Sequence, residues 1–285
     1  KATGGEQSAV IGGGGWMSTG TVTIKDNATI KNAQGGDGGA GIGGGVYGST
    51  TVSIEGTPTI ESTTGGNNGA GIGGGALGLG DVTIKGNAEI KNATGGDEGA
   101  GIGGGAGGLG DVAIEGKVTI QNAQGGMGAA GIGGGAETEP DTEDTRNKVS
   151  IKSTEAGSPN ITAKGGGVLN DENYPLAGAA AIGSGSVADG ATEVKSDITI
   201  EGKVTIDATA GGSIAIGDAL TGEKKFDGLP VGAVITRKDS DGKDLTQEGD
   251  KPTEPEKPEK PDPNLENPNP NPENPNPNPE NPNPN

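Results

Sequence analysis

The chain has 285 residues, with 62 Gly, 18 Pro, two Tyr, one Trp, one Phe and neither Cys nor His. So few aromatic side chains exclude an ordinary globular core, the lack of Cys excludes disulfides, and the lack of His removes the commonest general base. The formal net charge of −19 argues against nucleic acid as a partner, because an acidic surface repels phosphate.

No apolar run reaches the ~20 residues of a membrane span. The chain opens without a Met or a secretory leader, as expected of a fragment or a processed chain.

From residue 9 onward the sequence repeats. Ile42, Ile72, Ile102 and Ile132 each sit in Ala-Gly-Ile-Gly-Gly-Gly, 30 residues apart. Ile24, Ile54, Ile84 and Ile114 each end a Val-x-Ile triplet, and Ile30, Ile60, Ile90 and Ile120 recur at the same interval. A first coil, around Val10 and Ile11, is offset by one residue. Self-similarity at this period is the signature of stacked repeats.

Each repeat holds three short apolar segments, for example residues 70–72, 82–84 and 88–90, separated by Gly-Gly, Gly-Asp and Gly-Asn turns. Their period-2 alternation is that of strands. The predicted fold is all-β: a parallel β-helix of ~30-residue, three-strand coils, right-handed by the crossover rule. About seven coils at ~4.8 Å each give a rod roughly 35 Å long.

Charge supports in-register stacking. The residue after Val-x-Ile runs Lys25, Glu55, Lys85, Glu115, and the residue after the next Ile runs Lys31, Glu61, Lys91, Gln121. Opposite charges on neighbouring strands attract, so both columns favour this register. Asn32, Ser62, Asn92 and Asn122 form a further column, which alternation from the preceding Ile turns inward, where stacked amides would satisfy backbone groups.

The period breaks after Ala136. Polar insertions are expected near 137–147 and 165–178, within a β-helix spanning 1–220. Residues 221–249, with Phe226, Leu229, Val231, Val234 and Ile235, read as a C-terminal cap over unpaired strands. Residues 250–285 are Pro- and Asn-rich and read as a disordered, extended spacer.

The Ala-Gly-Ile-Gly-Gly-Gly motif with its Val-Thr-Ile strands resembles Gly-rich β-helical repeats of cell-surface proteins from Gram-positive gut bacteria, often labelled carbohydrate-binding. The Pro-rich tail resembles the wall-spanning segment that precedes a sortase signal, although no Leu-Pro-x-Thr-Gly is present. A second likeness is to chlamydial polymorphic membrane adhesins. The resemblance covers about residues 9–220 and the tail. It implies an extracellular place at the cell surface or wall, with host or wall glycans or surface proteins as partners.

Candidate binding residues follow from strand phase. With Ala70 and Ile72 inward, Gly71 and Gly73 face outward, as do Gly41 and Gly43, giving a strip of bare backbone on which a flat ligand could dock; close approach of a neighbouring loop is the structural alternative. Trp16 and Tyr47 flank this strip one coil apart, with Leu77 next, and are aromatic platforms for a sugar or lids over the strip. Asp37, Asn67 and Asp97 line a Gly-Gly turn and offer oxygen ligands to Ca²⁺, though solvated turn residues are the simpler reading and no cofactor is expected. The scattered carboxylates match no glycosidase pair, so the chain reads as a monomeric adhesin or carbohydrate-binding module, or else as a passive stalk, and not as an enzyme.

Overall fold

The computed structural model describes residues 2–138, 146–168, 177–187, 192–219, 222–226, 229 and 231–251. The chain separates into two units, Lys1–Thr253 and Glu254–Asn285. The spacer assigned to the Pro-rich tail lies outside the described residues apart from its first two.

The first unit is a parallel β-helix. Its strands form an 11-stranded, an 8-stranded and a 6-stranded sheet, and each strand pairs with its counterpart one coil away. Val22 pairs with Val52, Val82 with Val112, and Ile42 with Ile72 and Ile72 with Ile102. Among the described strands, Gly222–Glu223 departs from this direction and runs antiparallel to Ile216–Asp218.

The 6-stranded sheet is built from Gly20–Ile24, Thr50–Ile54, Gly80–Gly86, Gly110–Gly116, Arg146–Lys152 and Lys195–Glu201. Its Val and Ile side chains alternate with more exposed residues, and Val52, Ile54, Val82, Ile84 and Ile114 are buried. One buried Ile contributes roughly 1.5–3 kcal/mol through burial, so a column repeated through the coils supplies a core without aromatics.

The 11-stranded sheet carries two apolar rows. One is the predicted row of Ile60, Ile90, Ile120 and Ile161. The other is Ala33, Thr63, Ala93, Ala123, Ala163 and Ala208, all fully buried. Thr63 fits there because its hydroxyl donates to the carbonyl of Gly71 at 2.7 Å. In the early coils the face that belongs to this sheet is split into two short strands, so each coil gives four short strands to three sheets.

Between these two rows the chain turns a corner, and alternation does not carry across it. Asn32 and Asn92 are exposed, and Ser62 and Asn122 partly so. The expected inward amide column is corrected by this: two consecutive residues face outward before the buried Ala row begins. Asn92 still ties coils together, donating to the Glu61 carbonyl at 3.3 Å.

The charge columns differ. In the first, Lys25 lies 3.5 Å from Glu55 and Lys85 lies 3.4 Å from Glu115. The column continues beyond the repeats, since Glu115 is in register with Lys152 and Lys152 with Glu201, whose carboxylate is 2.8 Å away. Six residues thus alternate in sign. At the corner, no ion pair forms within 4.0 Å between Lys31, Glu61 and Lys91.

Of the expected insertion near 137–147, the described residues are 137, 138, 146 and 147. Glu137 donates its N–H to Ser186 O, and the Thr138 hydroxyl donates to Gly108 O. Arg146 and Asn147 already belong to the strand Arg146–Lys152, and the buried Asn147 accepts a hydrogen bond from Gly110 N at 3.0 Å. Residues 139–145 and 169–176 lie outside the described residues.

The C-terminal segment closes the stack with a further rung. Val234–Lys238 pairs in parallel with Thr205–Thr209, which puts Ile235 beside Ile206 and Arg237 beside Ala208. The Arg237 side chain is fully buried at the end of the Ala row. It pairs with Glu223 and with Asp250, donates to Lys224 O at 2.8 Å, and lies over the Phe226 ring at 5.2 Å. Glu223 in turn accepts from the N–H groups of Ala215 and Ile216.

Candidate binding surface

The glycine strip is not open surface. Gly41, Gly43, Gly71 and Gly73 are all buried. Gly71 is covered by the next sheet, since a Cβ there would stand 2.8 Å from both the N and O of Thr94. Gly43 and Gly73 have φ of +137° and +132°, and a Cβ on them would stand 1.9–2.0 Å from the glycine carbonyl oxygen of the next coil. The alternation that turned these residues away from the Ile core was right in phase, but their other side meets chain and not solvent. Close approach of neighbouring backbone explains these glycines.

The turn that follows each glycine strand does reach solvent. Met17, Tyr47, Leu77, Gly107 and Glu137 share one position in it, and all have φ between +55° and +68°. The N–H of Tyr47 donates to Ala76 O at 2.8 Å, that of Leu77 to Ala106 O at 2.7 Å, and that of Met17 to Val46 O at 3.0 Å. Met17, not Trp16, is thus the register equivalent of Tyr47, because the one-residue offset seen at Ile11 and Ile42 ends before this turn.

Trp16 nevertheless joins the column through its ring. The Trp16 and Tyr47 rings are 5.0 Å apart between centroids and tilted by 33°. Trp16 is 61% exposed, Met17 73%, Tyr47 45% and Leu77 50%. Leu77 leans towards Gly107, where a Cβ would meet its Cδ2 at 2.4 Å. The result is an apolar ladder across three coils, bounded beyond Gly107 by acid. There the Glu98 carboxyl is held above its ordinary pKa, mainly by burial and then by the charges of Glu137 and Asp97.

Each of these turns is pinned to the turn preceding the glycine strand of the coil before it. Val46 N donates to Gln7 O, Ala76 N to Gly38 O, Ala106 N to Asn68 O, and Ala136 N to Glu98 O, at 2.7–3.0 Å. The ladder therefore stands on a fixed backbone.

Two recesses accompany it. One, of about 390 Å³, runs along the Gly-Gly turns beside Thr64, Thr94, Asn67 and Asp97. Asn67 and Asp97 are exposed there and Asp37 is exposed outside its lining; among the described residues no group of three or more His, Cys, Asp or Glu could hold a metal ion. The other, of about 300 Å³, lies between Leu79, Leu109, Asp81, Asp111, Arg146 and Lys148. Lys148 reaches Asp111 at 3.9 Å, and the Thr51 hydroxyl donates to Asp81 at 2.9 Å. Sequence reading missed this second recess because Arg146 had been assigned to an insertion.

Comparison with known proteins finds no family, no curated protein and no solved structure that matches the chain.

Proposed function

We propose that this chain is a carbohydrate-binding adhesive module of a cell surface, with the β-helix as a rigid support and the ladder of Trp16, Tyr47 and Leu77 as the contact. The observation that carries this reading is the ladder's backbone. Tyr47 and Leu77 hold a left-handed conformation, which costs an L-residue roughly 1–2 kcal/mol and which Gly107 adopts freely at the same position. Large apolar side chains kept there, and turned to solvent, are better accounted for by an external partner than by the fold. Exposed aromatic rings suit the C–H faces of a pyranose.

The test is retention of the intact protein on mucin and wall polysaccharide columns, against the Trp16→Ala/Tyr47→Ala double variant. Loss of retention in the variant supports the reading, and undiminished retention removes the ladder as the site. Absence of binding across a broad glycan panel would favour the alternative of a passive stalk, a reading that the unbroken charge column and in-register stacking also suit.

A further inference from the structure

The outer face of the 6-stranded sheet brings two rows of side chains together at the smaller recess. One row runs Thr21, Thr51, Asp81, Asp111, Lys148 and Asp197. Two residues before three of these stand Leu79, Leu109 and Arg146. Gly80 N donates to Leu109 O at 2.9 Å, and Arg146 precedes Lys148 as Leu109 precedes Asp111. Leu109 is partly exposed, and Leu79, Asp81, Asp111, Arg146 and Lys148 are exposed. The recess of about 300 Å³ lies among these six residues, at the lower end of the range for small-ligand sites.

The packing of the coils does not call for this set. The row from Lys25 to Glu115 alternates in sign, whereas Asp81 and Asp111 face each other on neighbouring strands, where like charges repel. Thr51, in the same row, shows that a neutral residue fits there. Asp111 has Lys148 at 3.9 Å, and Asp81 accepts from the Thr51 hydroxyl at 2.9 Å. Among the described residues no carboxylate lies within 4.0 Å of the Arg146 guanidinium. Its register neighbour Lys195 already pairs with Glu193 and Asp218.

The recess is therefore dipolar, with acid at Asp81, base at Arg146 and the two leucines beside the line that joins them. Two strand spacings and two residues separate Asp81 from Arg146, about 12 Å between backbone positions. Side chains that reach inward from both ends leave room for a short carbon chain charged at each end. An anion alone would be opposed by Asp81, Asp111 and the net charge of −19; a cation alone would leave Arg146 unmet.

We propose that this recess binds the C-terminal lysine of a polypeptide. The ε-ammonium meets Asp81 and Asp111, the methylenes lie on Leu79 and Leu109, and the terminal carboxylate takes the paired N–H donors of Arg146. Free lysine suits the recess less well, because its α-ammonium would stand close to Arg146 and Lys148. The recess shares no residue with the ladder of Trp16, Tyr47 and Leu77, so either reading stands or fails without the other.

The experiment follows the Leu79 and Leu109 methyl resonances of the intact protein during titration with acetyl-Gly-Lys bearing a free carboxylate. The comparison peptides are its carboxamide and the peptide with norleucine in place of lysine. The expected result is a saturable shift, with each comparison peptide weaker by on the order of fivefold. Arg146→Gln should lose the preference for the free carboxylate and keep the preference for lysine over norleucine, and Asp81→Asn should do the reverse. Both side chains are exposed, so neither variant disturbs the core. Equal binding of the three peptides, or no shift with any of them at millimolar peptide, overturns the proposal. Tighter binding of free lysine than of the peptide overturns the assignment to a chain end. Shifts with glucuronate and none with the lysine peptide would make the recess a site for acidic sugars, and overturn it equally.

Discussion

The guanidinium of Arg237 and the carboxylate of Asp250 are both fully buried and stand 2.5 Å apart. Removing one partner from such a pair leaves a charge without solvent, which typically costs about 3–5 kcal/mol. Here Glu223 also contacts Arg237, so Asp250→Ala is expected at the lower end, near 3 kcal/mol. Urea unfolding of the two proteins measures this, and a change below about 1 kcal/mol would mean that Glu223 alone compensates the guanidinium.

Ile84→Asp and Lys85→Asp differ by one position and should differ greatly in effect. Ile84 is fully buried between Ile54 and Ile114, where an unpaired carboxylate is costly. Lys85 is exposed; its replacement loses the contact with Glu115 and sets a carboxylate between Glu55 and Glu115, solvent-screened effects worth on the order of 1 kcal/mol each. Thermal melts should show collapse of the fold in the first variant and a shift of a few degrees in the second.

Gly73→Ala and Leu77→Gly act in opposite directions. The added Cβ at Gly73 would collide with the Gly103 carbonyl oxygen, on a backbone with φ of +132°, and the melting temperature should fall sharply. Leu77→Gly relieves a left-handed leucine and should leave stability unchanged or slightly raised, by up to about 1 kcal/mol, while weakening any glycan retention. A large loss of stability in Leu77→Gly would make the ladder a packing feature.

Stability near Glu98 should depend on pH with a defined sign. Its folded pKa is raised, first by burial and then by Glu137 and Asp97. Full stability is present in acid below the ordinary carboxylate value, where both states are protonated. It falls as pH rises through the raised folded value, because the folded state resists ionisation. Glu98→Gln should therefore raise the melting temperature at neutral pH and leave it unchanged in acid. Glu55 has the opposite sign. The hydrogen bond from Ser53 and the charge of Lys25 lower its pKa, so its contribution holds at neutral pH and is lost as pH falls through the lowered value.

The Ile and Val columns were legible in the sequence because large β-branched residues recur at a fixed interval. The same holds for Lys25 and Glu55, whose signs alternate in register. The row of Ala33, Thr63 and Ala93 was not read, since small and polar residues give no apolar signal, though the core takes them. Asn32 was placed inward because alternation was continued through a corner. For Gly71, alternation told which way the residue faced but not what covered it; only the neighbouring Thr94 backbone does that. Arg237, beside Lys238 at the end of an apolar segment, gave no hint that Glu223 and Asp250 would surround it from 14 residues before and 13 residues after.

The bonds that pin each turn to the preceding coil, such as Ala76 N to Gly38 O and Ala106 N to Asn68 O, bear on how the molecule would respond to tension. They span the same junctions as the sheet ladders, so a pull along the axis loads both sets at once. A junction should then give way as a unit, releasing a whole 30-residue coil of about 100 Å contour length. Stretched between two surfaces, the solenoid would lengthen in discrete steps of that size, absorbing work at each one while the coils behind it stay wound.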